Sequence, residues 1–85
     1  MPKTIIYLPD DPGMSLEASA VIFKMANMPE ANNCTAKELN RFFVHDSMDV
    51  IQKALHELCH KKYVIEHGGV YTVNRKMMQP ALGIA

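Results

Sequence analysis

The chain of 85 residues lacks several features that define whole classes of protein. Its formal net charge is zero with neutral histidines, so overall charge gives no argument for binding nucleic acid or an acidic membrane surface. No apolar run approaches the roughly 20 residues that a membrane span needs, and no signal-peptide pattern is visible. We therefore expect a cytoplasmic protein with one domain, the usual number for this length.

Residue types that carry covalent chemistry are also scarce. The two cysteines, Cys34 and Cys59, are expected to be reduced, small apolar side chains, although a bridge between them stays an open alternative. There is no nucleophile motif, no glycine-rich phosphate loop and no evident pocket shared by two carboxylates, and Asp10-Asp11 suits a turn. His56 and His60 have the i, i+4 spacing of zinc ligands, but no third ligand is evident. We expect no enzymatic activity, no cofactor and no metal.

The balanced charge is unevenly distributed along the chain. Residues 1–34 contain two basic and four acidic side chains, a net charge of −2, whereas residues 35–76 contain seven basic and five acidic side chains, a net charge of +2. A modest positive bias therefore lies in the second half.

Local patterns predict a strand and a first helix in the acidic half. "KTIIYL" (3–8) is a β-branched and aromatic run that Pro9 ends. A helix is predicted over 15–28, with Ser15 as its N-cap and Pro29 after its end. Its expected core face consists of Leu16, Ala20, Phe23 and Ala26 or Asn27, widened by Val21, Met25 and Met28.

Two more helices are predicted in the basic half. The second spans 35–43, and Thr35 and Glu38 have the T-x-x-E spacing of a capping box. The third spans 47–62 and is capped by Asp46 or Ser47. Its apolar stripe is formed by Ile51, Ala54, Leu55 and Leu58, and its polar face by Asp49, Gln52, Lys53, His56 and His60.

"YVIEHGGVYTV" (63–73) predicts a hairpin with Gly68-Gly69 as a two-residue type I′ turn. That turn pairs Val64 with Val73, while either face of the hairpin could pack on the helices. Residues 77–85 are expected to form a partly ordered tail.

The segment from "TAKEL" through "ALHEL" to "KKYVIEHGGVYTV" resembles a winged helix-turn-helix domain of small bacterial or phage regulators. The resemblance covers residues 15–74 and implies an α+β fold, namely an N-terminal strand, three helices and a C-terminal β-hairpin wing, in one domain over 1–76. Two departures are the lack of a glycine in the turn "FVHDSM" and the acids Asp46 and Asp49 at the start of the third helix.

The resemblance also implies a set of contacts with DNA. In this fold the third helix lies in the major groove with its N-terminal half towards the bases. The implied base-contacting residues are Ser47, Met48, Gln52, Lys53 and His56. The implied phosphate-contacting residues are Lys37, Arg41, Lys61, Lys62, Arg75 and Lys76. The wing tip, defined as His67, Gly68 and Gly69, is expected to contribute little.

We accordingly expect a DNA-binding transcription regulator that binds duplex DNA as a homodimer through symmetric half-sites. The expected dimer element is "TIIYL" or the tail with Met77 and Met78. Two alternatives are a winged-helix module that binds a protein partner, and a replication or partition accessory that binds DNA without sequence preference. Membrane association is not expected.

Overall fold

The structure, a computed structural model, describes residues 4–8 and 11–83, with side chains described from Asp11 to Met78. The chain has an α+β architecture with three helices and a small antiparallel sheet. The helices are α1 (Leu16–Asn27), α2 (Ala36–Asn40) and α3 (Met48–His60), with short 3-10 turns at Pro29–Ala31 and Arg75–Met77. The strands are β1 (Thr4–Leu8), β2 (Cys34–Thr35), β3 (Val64–His67), β4 (Val70–Val73) and β5 (Gln79–Gly83).

Helix α3 lies at the centre of the core. Its predicted apolar stripe is buried at every position, and Leu55 and Leu58 are fully inaccessible to solvent. Leu39 of α2 is also fully buried. The predicted capping box at the start of α2 is confirmed, since the Thr35 hydroxyl accepts from the Glu38 N–H and the Glu38 carboxylate accepts from the Thr35 N–H.

The predicted core face of α1 is confirmed at Val21, Met25 and Ala26 and wrong at Leu16, Ala20 and Phe23, which are exposed. The buried positions are Ala18, Val21, Ile22, Met25 and Ala26, whereas Leu16 is 86% exposed and Phe23 is 43% exposed. Apolar residues occupy most of the helix circumference, so two overlapping stripes have helical spacing. Contact with α3 selects the stripe that contains Ile22 and Met25, and local periodicity does not distinguish between the two.

The hairpin has the predicted register. Val64 pairs with Val73, and His67 pairs with Val70, while Gly68 and Gly69 both have positive φ, as a type I′ turn requires. The face that carries Val64 and Val73 packs on the core, and Ile65 on the other face is 54% exposed. A short strand that was not predicted, β2, pairs with β4 and completes a sheet of order β2-β4-β3.

The N-terminal strand does not join that sheet. Instead β1 pairs in antiparallel fashion with β5, with Thr4 opposite Gly83 and Leu8 opposite Gln79. The tail therefore contains a strand up to Gly83 that was not predicted, because "QPALG" has little strand propensity of its own. Met78 in this region is buried, at 8% exposure. Residues 84 and 85 of the expected tail lie outside the described residues.

Helix α3 ends in a Schellman motif built without glycine. The Tyr63 N–H donates to the Leu58 carbonyl and the Lys62 N–H donates to the Cys59 carbonyl. Lys62 occupies the left-handed position with φ of 69°, where glycine is the usual residue. The motif turns the chain from α3 directly into β3 and so places the hairpin beside the helix.

Candidate nucleic-acid interface

Helix α3 and its N-cap carry the five residues for which base contacts were predicted. Gln52, Lys53 and His56 are exposed on the side of the helix opposite to the buried stripe. Met48 is half-buried, and the Ser47 hydroxyl caps the helix by accepting from the Val50 N–H at 3.4 Å. Sequence periodicity was sufficient to group these side chains because all of them belong to one helix.

The turn that leads into α3 is held by a side chain. The Asn40 amide Nδ2 donates to the carbonyl of Asp46 at 3.0 Å and to that of Phe43 at 3.4 Å. All residues from 41 to 46 have negative φ, which explains why the turn needs no glycine. Asn40 therefore fixes the start of α3 relative to α2, a role that the sequence interpretation missed.

Acidic side chains lie close to the same surface. Asp46 and Asp49 are both exposed, and Asp49 lies in the first turn of α3, where a carboxylate complements the helix dipole. Lys53 also lines a cleft that contains Glu17 and Glu57. The electrostatic potential at the N-terminal half of α3 is consequently mixed in sign.

The six residues predicted to contact phosphates fall into two groups. Lys37, Arg41, Lys62 and Lys76 are exposed. Lys61, which is half-buried, and Arg75, which is exposed, each bond to another part of the protein. Lys61 Nζ lies 2.8 Å from Asp11 Oδ2, and Arg75 Nη1 donates to the Ala26 carbonyl at 2.8 Å. Both bonds link segments that are about 50 residues apart in the chain, which local patterns do not indicate.

The Lys61 contact belongs to a network that ties the loop before α1 to the end of α3. Asp11 also accepts from the Tyr63 hydroxyl at 3.1 Å and from the Gly13 N–H at 2.9 Å, and Lys61 is the main cause of a lowered pKa for the Asp11 carboxyl. Asp11 reciprocally raises the pKa of Lys61. Both groups are charged at neutral pH, and the two shifts widen the pH range over which the ion pair persists.

A second carboxylate connects the start of α1 to α3. Glu57 of α3 accepts from the Ser15 N–H at 2.9 Å, and hydrogen bonding to Ser15 lowers the pKa of the Glu57 carboxyl. The Ser15 hydroxyl meanwhile accepts from the Ala18 N–H and caps α1, as predicted. The start of α1 is therefore fixed against α3 by hydrogen bonds as well as by the core.

The wing tip presents little positive charge. Glu66 Oε2 accepts from the Gly69 N–H at 2.7 Å, and His67 is exposed. His56 and His60 are exposed one turn apart on α3, and the described residues contain no cluster of three or more side chains that could hold a metal ion. Cys34 and Cys59 are free thiols, and burial raises the pKa of both, which favours their unreactive protonated form.

Comparison of the chain with protein-family models, with curated proteins and with solved structures gives no match. Among the described residues, no helix is long and apolar enough to cross a membrane.

Proposed function

We propose that this protein is a small winged-helix DNA-binding regulator that reads duplex DNA with α3. The order of the elements supports the winged-helix assignment: α1, β2, α2 and α3 precede the hairpin, and β4 lies between β2 and β3. In such domains the helix after the short turn enters the major groove.

The observation that carries the proposal is the division of α3 into two faces. One face is the centre of the core, and the other leaves Gln52, Lys53 and His56 exposed within two turns. Glutamine can donate to and accept from adenine, and lysine can donate to guanine O6 and N7. The neighbouring α2 exposes Lys37 and Arg41, which are suited to contacts with phosphates.

Internal contacts refine the expected set of phosphate contacts. Lys61 and Arg75 stabilise the fold through Asp11 and the Ala26 carbonyl. We therefore assign the larger part of the phosphate affinity to Lys37, Arg41, Lys62 and Lys76. Fewer phosphate contacts imply a shallow dependence of affinity on salt for one copy of the protein.

The test is selection of duplexes from a random-sequence pool, followed by fluorescence anisotropy with the selected duplex at several salt concentrations. Affinity should fall as salt rises, with a slope that counts phosphate contacts. Gln52→Ala should weaken discrimination at one base pair by about 1–3 kcal/mol, and Lys37→Ala should weaken all duplexes alike. His60→Ala, at the far end of the same helix, is the matched control and should leave binding unchanged.

A second candidate function, a module that binds a protein partner, is favoured by one observation. Asp46 and Asp49 are exposed at the end of α3 that would face the DNA, where carboxylates repel phosphates. If no duplex binds at about 100 mM salt, the DNA proposal is wrong and this candidate takes its place. Binding of all duplexes with equal affinity would instead indicate an accessory factor without sequence preference.

A further inference from the structure

Helix α1 has a second apolar stripe that lies outside the core formed by the described residues. Leu16, Ala20 and Phe23 lie at i, i+4 and i+7 and are all exposed, Leu16 to 86% and Phe23 to 43%. We call these three residues the α1 outer stripe. The core instead takes the opposite side of the helix through Ile22 and Met25. Among the residues whose side chains the structure describes, the core therefore does not account for the apolar character of the α1 outer stripe.

The α1 outer stripe is complementary to itself. If two copies of α1 pack antiparallel about a two-fold axis at Ala20, Leu16 of each copy lies beside Phe23 of the other. The small side chain of Ala20 then faces its own equivalent at the axis and allows the two helices to approach closely. Each copy presents the same surface, as a closed dimer requires.

The charges beside the stripe fit the same arrangement. Glu17 lies in the first turn of α1 and Lys24 in the last turn, about 10 Å apart along the helix axis. That separation is too long for a pair within one helix, and neither side chain makes an ion pair with another described residue. In the antiparallel arrangement Glu17 of each copy lies opposite Lys24 of the second copy, so the contact forms twice.

We propose that α1 is a self-association surface on which a second copy of this chain packs antiparallel. One pair of 12-residue helices buries less than the roughly 800 Å² per partner of a standard interface, so the dimer is weak and depends on concentration. The surface shares no residue with the proposed contacts to DNA, so the inference does not depend on the proposed function. It also differs from the dimer elements expected from the sequence, β1 and the tail.

Sedimentation velocity of the full chain without DNA, from about 10 µM to about 1 mM, measures the self-association directly. Glu17→Lys alone and Lys24→Glu alone should each weaken it by roughly fivefold, because each places two pairs of like charges across the axis. The double reversal, with both substitutions in one chain, should restore the wild-type dissociation constant. Both substitutions oppose the helix dipole, so the restoration would not come from a more stable α1.

Two further variants distinguish this surface from general apolar adhesion. Leu16→Glu should abolish the dimer, whereas Ile65→Glu, at a residue that is 54% exposed on the hairpin, should leave it intact. Circular dichroism verifies that both variants fold. The proposal is overturned by a monomer at every concentration, by a double reversal that fails to restore association, or by loss of the dimer in Ile65→Glu. Loss of DNA binding with an unchanged dimer would refute the proposed function alone.

Discussion

The Asn40 side chain offers a sharp test of how the turn before α3 is held. Its amide donates two hydrogen bonds across the turn, at 3.0 Å to the Asp46 carbonyl and at 3.4 Å to the Phe43 carbonyl. Asn40→Ala removes both donors, and Asn40→Asp replaces them with a carboxylate of nearly the same shape that only accepts. Asn40→Ala thus measures the loss of the hydrogen bonds, and Asn40→Asp adds repulsion between its carboxylate and the two carbonyl oxygens.

The expected magnitudes follow from the geometry. One good bond and one long bond contribute about 1–1.5 kcal/mol, while alanine gains up to about 0.6 kcal/mol in helix propensity at the last residue of α2. Asn40→Ala should therefore destabilise the protein by roughly 0.5–1 kcal/mol. Asn40→Asp adds repulsion from two carbonyl oxygens and an unfavourable charge at a helix C-terminus, so it should cost about 2–3 kcal/mol.

Urea unfolding followed by circular dichroism at pH 7 measures both changes. The matched control is Gln52→Glu, which adds the same charge at an exposed position that makes no hydrogen bond with a described residue, and should change stability by no more than about 0.5 kcal/mol. Protonation of the new carboxyl restores a donor. The difference between the unfolding free energies of Asn40→Asp and Asn40→Ala should therefore become smaller below about pH 4. Equal stability of Asn40→Asp and the wild type would refute the assigned bonds.

Three other predictions concern stability and use the same unfolding measurement. Lys62→Gly should stabilise the protein by about 1 kcal/mol, because it relieves the left-handed conformation at φ 69°; destabilisation would mean that the Lys62 side chain makes an important contact. Leu55→Ala should cost about 2–5 kcal/mol and Leu16→Ala less than about 0.5 kcal/mol, since the first residue is fully buried and the second is exposed. Glu57 has a lowered pKa in the folded protein because of its bonds to Ser15, so its contribution is present above about pH 4.3 and lost as the pH falls through the lower folded value. Glu57→Gln should accordingly be less stable than the wild type at pH 7 and equally stable near pH 2. A difference in unfolding free energy that does not change with pH would contradict the role of the bonds between Glu57 and Ser15.

The elements that were predicted correctly depend on neighbours in the chain. The two residues of the capping box, Thr35 and Glu38, are three positions apart, and the pairing of Val64 with Val73 follows from a two-residue turn. The stripe on α3 was clear because polar side chains separate its apolar positions. The same separation grouped Gln52, Lys53 and His56 on one exposed surface.

The features that were missed depend on distant parts of the chain. The partner of β1 is β5, more than 70 residues away, and Lys61 is engaged by Asp11, which the sequence indicated only as a turn residue. A hydrogen bond between residues so far apart in the chain produces no regular spacing of residue types, so local sequence patterns could not indicate it.

By itself, the sequence determined the helices, the hairpin with its register, and the polar face of α3, because caps, turn glycines and helical spacing act within a few residues. Which side of α1 is buried, and which basic side chains bond to other parts of the protein, depends on the tertiary structure. Helix α1 is apolar on both sides, and packing Ile22 and Met25 against α3 leaves Leu16 and Phe23 on the surface. The buried side of such a helix is chosen by the partner against which it packs, and that partner is specified elsewhere in the chain.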